Sequence, residues 1–159
     1  MNSDEWLEAK ELEEKGFNQA LKYLTYRPRT VSEVKNHLKK KGYSSRVINL
    51  VVEKLSEINY LNDYQYAVDW LNYQISNSKD GPKLLEYKLK QKGISQDIVK
   101  HAIHEIIDED KELNLARKAF KKKYNSEIST LTYEEKQKVG AYLQRKGFSY
   151  EIIVNILDF

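Results

Sequence analysis

Three stretches of the chain carry one pattern: HLKKKGYSSRVINLVVEKL (37–55), KLKQKGISQDIVKHAIHEI (88–106) and YLQRKGFSYEIIVNILDF (142–159). Leu38, Leu89 and Leu143 fall in register, as do Gly42, Gly93 and Gly147, at offsets of 51 and 54 residues. An apolar residue follows each glycine (Tyr43, Ile94, Phe148), then a serine (Ser44, Ser95, Ser149), then an aliphatic pair. Glycine behind a basic turn is the signature of a helix C-terminus, where a positive φ favours Gly and cations suit the helix dipole. The serine hydroxyl is placed to cap the next helix. Each stretch therefore reads as helix, tight Gly-X-Ser turn, helix.

Working outward, each first helix has a start signal. Thr30-Val31-Ser32-Glu33 and Thr132-Tyr133-Glu134-Glu135 have the spacing of capping boxes, and Asp80-Gly81-Pro82 puts proline at the first helical position. A further helix precedes each pair, over about 5–26, 63–77 and 109–124, with Ala20, Ala67 and Ala116 each followed four residues later by Leu24, Leu71 or Phe120. Strand alternation is absent. The reading is an all-α protein, an elongated tandem array of three three-helix repeats. Its expected parts are an acidic helical extension (1–17), then repeats at 18–61, 62–108 and 109–159.

The composition fits that architecture. Of 159 residues, 40% are hydrophobic, enough for a core, while the 32% charged exceeds a typical globular share and suits a shape rich in surface. Two prolines, six glycines and no low-complexity tract argue against disorder. With no cysteine there is neither a disulfide framework nor a thiolate metal site. The acidic start lacks an apolar signal core, and no apolar run approaches a membrane span, so the protein is read as cytoplasmic. Residues 1–16 hold six acids against two lysines, so the excess positive charge falls on the rest of the chain and points to an acidic partner.

Chemistry is not evident. No phosphate-cradling loop is present: Gly140 to Gly147 fails at the following Phe148, which stands where lysine is needed. His101, Glu105 and Asp108 share a helical face, and His104-Glu105 superficially resembles a zinc helix. That motif requires a second histidine, and a solvated face opposite Ile103, Ile106 and Ile107 explains the residues. No enzyme, metal or cofactor is implied. Basic clusters are the stronger lead: Lys39-Lys40-Lys41, Lys118 with Lys121-Lys122-Lys123, and Arg145-Lys146. Each lies by a helix C-terminus, where cations stabilise the helix without any partner. Their recurrence along an array would nevertheless make a multi-point contact surface. Among twelve tyrosines, Tyr23, Tyr26, Tyr43, Tyr60, Tyr66 and Tyr87 are expected to pack as wall elements, ring buried and hydroxyl wet.

Several motifs resemble those of the RecX family. Leu21-x2-Leu24-x2-Arg27-x-Arg29-Thr30-x2-Glu33-x4-Leu38 is similar to its first-repeat signature, and Tyr60-Leu61-Asn62-Asp63-x2-Tyr66-Ala67 to its most recognisable stretch. Gly81-Pro82-x2-Leu85-x3-Leu89-x2-Lys92-Gly93-Ile94 is similar to the second-repeat signature. The likeness covers residues 18–107, with a fainter echo in 112–159. Where family members often carry arginines after the Ala67 region, this chain has Asn72, Gln74 and Asn77. Beginning inside an acidic helix-like segment, the chain reads as a short member or a fragment.

The resemblance implies a three-helix repeat fold and a regulator of DNA repair and the SOS response. Such a regulator binds the RecA recombinase filament and restrains its ATPase, strand-exchange and co-protease activities. Family members also bind single- or double-stranded DNA. The expected contact residues are Arg27, Arg29, Lys39, Lys40, Lys92, Lys121, Lys122, Lys123 and Arg145, of which Arg27, Arg29 and Lys92 coincide with motif positions. A monomer with no membrane contact is expected. The competing readings are a DNA-binding module acting alone and a generic helical scaffold.

Overall fold

The structure is a computed structural model that describes residues 2–159. Among these residues it is built from nine α-helices and one 3-10 turn, with no strand. The helices are α1 (Ser3–Tyr26), α2 (Val31–Lys40), α3 (Ser45–Glu57), α4 (Asp63–Asn77), α5 (Pro82–Gln91), α6 (Gln96–Ile106), α7 (Glu109–Lys123), α8 (Tyr133–Arg145) and α9 (Tyr150–Leu157). They form three three-helix repeats. The chain divides into two compact units, one running to Tyr66 with Lys92–Ile94 added, the other comprising Ala67–Gln91 and Ser95–Phe159.

In the first unit α1, α2 and α3 enclose Ala20, Val34, Leu38, Val47, Ile48, Val51, Leu55 and Leu61. Gly16 lets α1 approach α3 closely: a Cβ there would lie 3.1 Å from Val47 and 3.3 Å from Val51. The acidic start belongs to α1 itself. Asn2 accepts from Glu5 N–H and the Glu5 carboxylate accepts from Asn2 N–H, a complete capping box. The second unit buries Leu115, Ala116, Phe120, Val139, Leu143, Phe148, Ile152 and Leu157 among α7, α8 and α9, and Leu85, Leu89 and Val99 on α5 and α6. The register leucines Leu38, Leu89 and Leu143 are all fully buried, each contributing roughly 1.5–3 kcal/mol by leaving water.

All three turn glycines adopt the expected positive φ: 89° at Gly42, 83° at Gly93 and 90° at Gly147. The capping expectations need correction. Ser44 accepts from Val47 N–H at 3.3 Å, but Ser95 and Ser149 cap without a side-chain hydrogen bond. At Ser149 a carboxylate serves the helix start instead, Glu112 accepting from the serine N–H at 2.7 Å. Thr132 and Glu135 form the full reciprocal box. Thr30 completes only half of one: its oxygen accepts from Glu33 N–H, while the Glu33 carboxylate turns toward Arg27.

The turn glycines also set close contacts. In the first unit the Thr30 hydroxyl donates to the Lys92 carbonyl at 2.9 Å, and a Cβ on Gly93 would overlap Ser32. In the second unit Gly81 N–H donates to the Lys146 carbonyl at 2.6 Å and Lys83 N–H to the Gly147 carbonyl at 3.0 Å. A Cβ on Gly147 would overlap the Leu84 backbone. Thr30 and Gly81, and Lys92 and Lys146, are equivalent positions in the repeat register. In both places a helix start donates to a glycine-turn carbonyl, but α5 does so through backbone N–H groups, whereas α2 uses the Thr30 hydroxyl and its Val31 N–H donates to the Asp63 carboxylate at 2.9 Å. Gly42 has the backbone conformation without the contact, with nothing within 4 Å of its would-be Cβ.

Candidate interaction surface

Arg27, Arg29, Lys39, Lys40 and Lys92 all lie in the first unit. Arg27 follows the last residue of α1 and is half exposed. Its guanidinium donates to the Pro28 carbonyl at 3.3 Å and lies 3.5 Å from Glu33. It borders a groove of about 810 Å³ floored by Leu21 and Leu24 and flanked by Tyr26 and Tyr60. These two tyrosines are 74% and 61% exposed, and Tyr87 is exposed as well, so the wall role expected of them is corrected. Tyr26 ends α1 and Tyr60 lies beyond α3, outside the faces that meet in the core. Tyr23, Tyr43 and Tyr66 are half-buried, as expected.

Arg29 is drawn inward. Its guanidinium lies 3.9 Å from the centroid of the Tyr23 ring, a cation–π contact. The His37 ring stacks on Tyr23 at 3.9 Å and within 2° of parallel. Arg29, Glu33 and His37 are spaced by four residues and form one stripe entering and running along α2. Arg29 Nε, Glu33 Oε2 and His37 Nε2 are buried without a hydrogen-bond partner. The His37 imidazole is held below its ordinary pKa by burial, then by the charges of Lys41, Arg29 and Lys40. Lys39 and Lys40 are exposed on the last turn of α2. Lys92 is half-buried, its carbonyl holding Thr30.

Lys121, Lys122, Lys123 and Arg145 lie in the second unit. The three lysines form the exposed last turn of α7, as a basic helix end prefers. They are not equivalent. Lys123 Nζ sits 4.1 Å from the Tyr142 ring centroid, so it has an intramolecular partner. Lys121 borders a 510 Å³ depression over Phe120 and Ile128. Arg145 ends α8 and is exposed.

One cluster was not anticipated from the sequence. Asp80, 4% exposed, accepts hydrogen bonds from Lys88 on α5 and from Lys146. Burial raises its pKa, but the hydrogen bonds and charges of Lys146 and Lys88 outweigh that, leaving it below the ordinary value. The available signal was the eight-residue spacing from Asp80 to Lys88, two helical turns along one face. Nothing local announces Lys146, 66 positions away. Among the described residues no group of three or more His, Cys, Asp or Glu could hold a metal ion, and no helix is long and apolar enough to cross a membrane.

Comparison with known proteins gives a consistent answer. Family models for the first, second and third three-helix domains of RecX match residues 16–55, 62–103 and 109–157, in that order. The chain is 38% identical over 144 residues to the regulatory protein RecX of Bacillus subtilis (strain 168), covering 91% of this chain and 54% of that one. It is 35% identical over 140 residues to the RecX of Lactobacillus johnsonii, covering 87% and 51%. The chain thus spans about half the length of these curated relatives. A crystal structure of RecX from Lactobacillus salivarius superposes with a TM-score of 0.80 at 31% identity, covering 94% of this chain and 98% of that one. A second, of regulatory protein RecX, has a TM-score of 0.85 at 24% identity, covers 100% and 80%, and matches in fold. Three matched domains in order, together with 31% identity across nearly the whole of a solved relative, place this chain in the RecX family.

Proposed function

We propose that this chain modulates the RecA recombinase filament, binding along it and restraining its DNA-dependent ATPase and strand exchange. The observation that carries this reading is the ordered set of three RecX-type domains, each supplying a basic helix end or turn. A filament repeats identical sites, and a protein with several weak contacts gains avidity on such a lattice without any single strong one. A bound copy that favours one filament state over another shifts the population toward it. Arg27, Lys39, Lys40, Lys121, Lys122 and Arg145 are exposed cations suited to such contacts. No step requires bond chemistry by this chain.

The test is the RecA ATPase rate on single-stranded DNA against concentration of this protein, at two salt levels. Inhibition at substoichiometric protein that survives excess free DNA supports filament binding. Inhibition that appears only at DNA-coating concentrations and vanishes with added DNA would replace it with the stand-alone DNA-binding reading, for which steep salt dependence is the mark.

A further inference from the structure

The repeat register pairs Arg29 with Asp80, His37 with Lys88, and Lys92 with Lys146. Both sets stand at the same kind of place, where a helix start receives a glycine turn. In the second unit the set is self-sufficient, one buried carboxylate held between two ammonium groups. In the first unit the carboxylate position has become an arginine, and all three members are basic or titratable. The acid of this set is missing from the first unit, where the carboxylate at the helix start, Asp63, is engaged with Val31 N–H at 2.9 Å.

The side chains bear the mark of that absence. Arg29 takes part in no ion pair found among the described residues; its one partner is the Tyr23 face. Glu33, the nearest acid on the stripe, is engaged with Arg27 instead. Arg29 Nε and His37 Nε2 are closed off from solvent without a hydrogen-bond partner, an arrangement that is costly because the lost hydration is not replaced. Stacking on Tyr23 occupies one face of the guanidinium and burial closes off Nε, which leaves the two Nη groups at its end for an in-plane acceptor. A planar carboxylate matches that pair with two parallel hydrogen bonds.

We propose that the corner formed by Tyr23, Arg29 and His37 is a receptor for a carboxylate side chain presented by a partner protein, filling the role that Asp80 fills within the second unit. A carboxylate is favoured over a phosphate because the internal counterpart is a carboxylate held by groups at equivalent positions. The corner is independent of which protein supplies the acid, so it stands whether or not the filament reading does.

The experiment follows the Arg29 Nε–Hε resonance of the full chain by nitrogen-15 NMR, identified by its loss in Arg29→Lys. The probe is an N-acetylated penta-aspartate peptide, with inorganic phosphate and an oligothymidylate as comparisons. A saturable shift with the peptide is expected. Arg29→Gln should weaken peptide binding at least tenfold, while Lys121→Gln with Lys122→Gln should change it less than twofold. A second variant, Arg29→Asp combined with His37→Lys, installs the charge pattern of the second unit. It should keep or raise the thermal midpoint and abolish peptide binding, because the corner then satisfies itself. Absence of a saturable shift, or equal weakening by the Lys121 and Lys122 changes, overturns the proposal. If oligothymidylate or phosphate displaces the peptide and binds more tightly, the corner is a phosphate site and the carboxylate assignment fails.

Discussion

Lys146 Nζ lies 2.7 Å from the carboxylate of Asp80 across 66 positions of sequence, tying the glycine turn of α8 to the start of α5. With Lys88 on the other oxygen, Asp80 becomes the buried end of a three-residue bridge. Asp80→Asn keeps the shape and removes the charge, leaving two ammonium groups facing each other. Breaking a buried pair costs several kcal/mol, but both lysines are partly exposed and water screens them, so a loss of about 2 kcal/mol is expected. Urea unfolding of the two proteins measures it.

The same carboxylate predicts acid sensitivity. Its pKa is lowered in the fold, so its contribution is fully present above the unfolded value of about 3.9 and is lost as pH falls through the lower folded value. Unfolding followed below pH 5 should show a steeper loss of stability in the wild type than in Asp80→Asn. Parallel curves would mean that the bridge contributes nothing.

His37 shifts in the same direction as Asp80 but in a higher pH window. Its pKa is lowered by burial and by Lys41, Arg29 and Lys40, so the folded protein resists the proton that the unfolded chain accepts. Stability is therefore greatest above about pH 6.5 and falls as pH drops from there toward the folded value. In His37→Gln this part of the pH profile should flatten.

The three turn glycines separate two effects of adding a Cβ. Gly42→Ala meets open space and carries only the left-handed backbone cost, about 1–2 kcal/mol. Gly93→Ala adds overlap with Ser32 Cβ and Oγ, of which only Oγ can rotate away, and Gly147→Ala adds overlap with Leu84 N, Cβ and Cα, none of which can. Losses should rise in that order, reaching about 3 kcal/mol or more at Gly147, with Gly93→Val beyond Gly93→Ala. Lys92→Ala, which keeps the carbonyl that Thr30 uses, should cost less than any change at Gly93. Thermal midpoints rank them.

Charge reversal on α7 divides function from stability. Lys121→Glu with Lys122→Glu should leave stability within about 0.5 kcal/mol, since both side chains are exposed, and under the proposed function should weaken inhibition of the RecA ATPase. Adding Lys123→Glu should cost up to about 1 kcal/mol more, because that ammonium sits on Tyr142. Circular dichroism and the ATPase assay read the two effects separately.

Local chemistry was enough to determine the helices. The glycine turns, the proline at the start of α5 and the spacing of Leu38, Leu89 and Leu143 each act within a few residues, so they are legible in order along the chain. The candidate cations were legible in kind but not in circumstance. Nothing in the run Lys121-Lys122-Lys123 distinguishes the lysine that packs on Tyr142 from the two beside it. Arg27 and Arg29 look alike in sequence, yet one flanks a groove and the other stacks on Tyr23. Whether a serine caps by its hydroxyl or yields to Glu112, and whether Asp80 is solvated or clamped, depends on groups 37 and 66 positions away. A hydrogen bond or ion pair acts over about 3 Å of space and carries no memory of sequence distance, so only the packed fold decides which charges find partners and which remain unmatched.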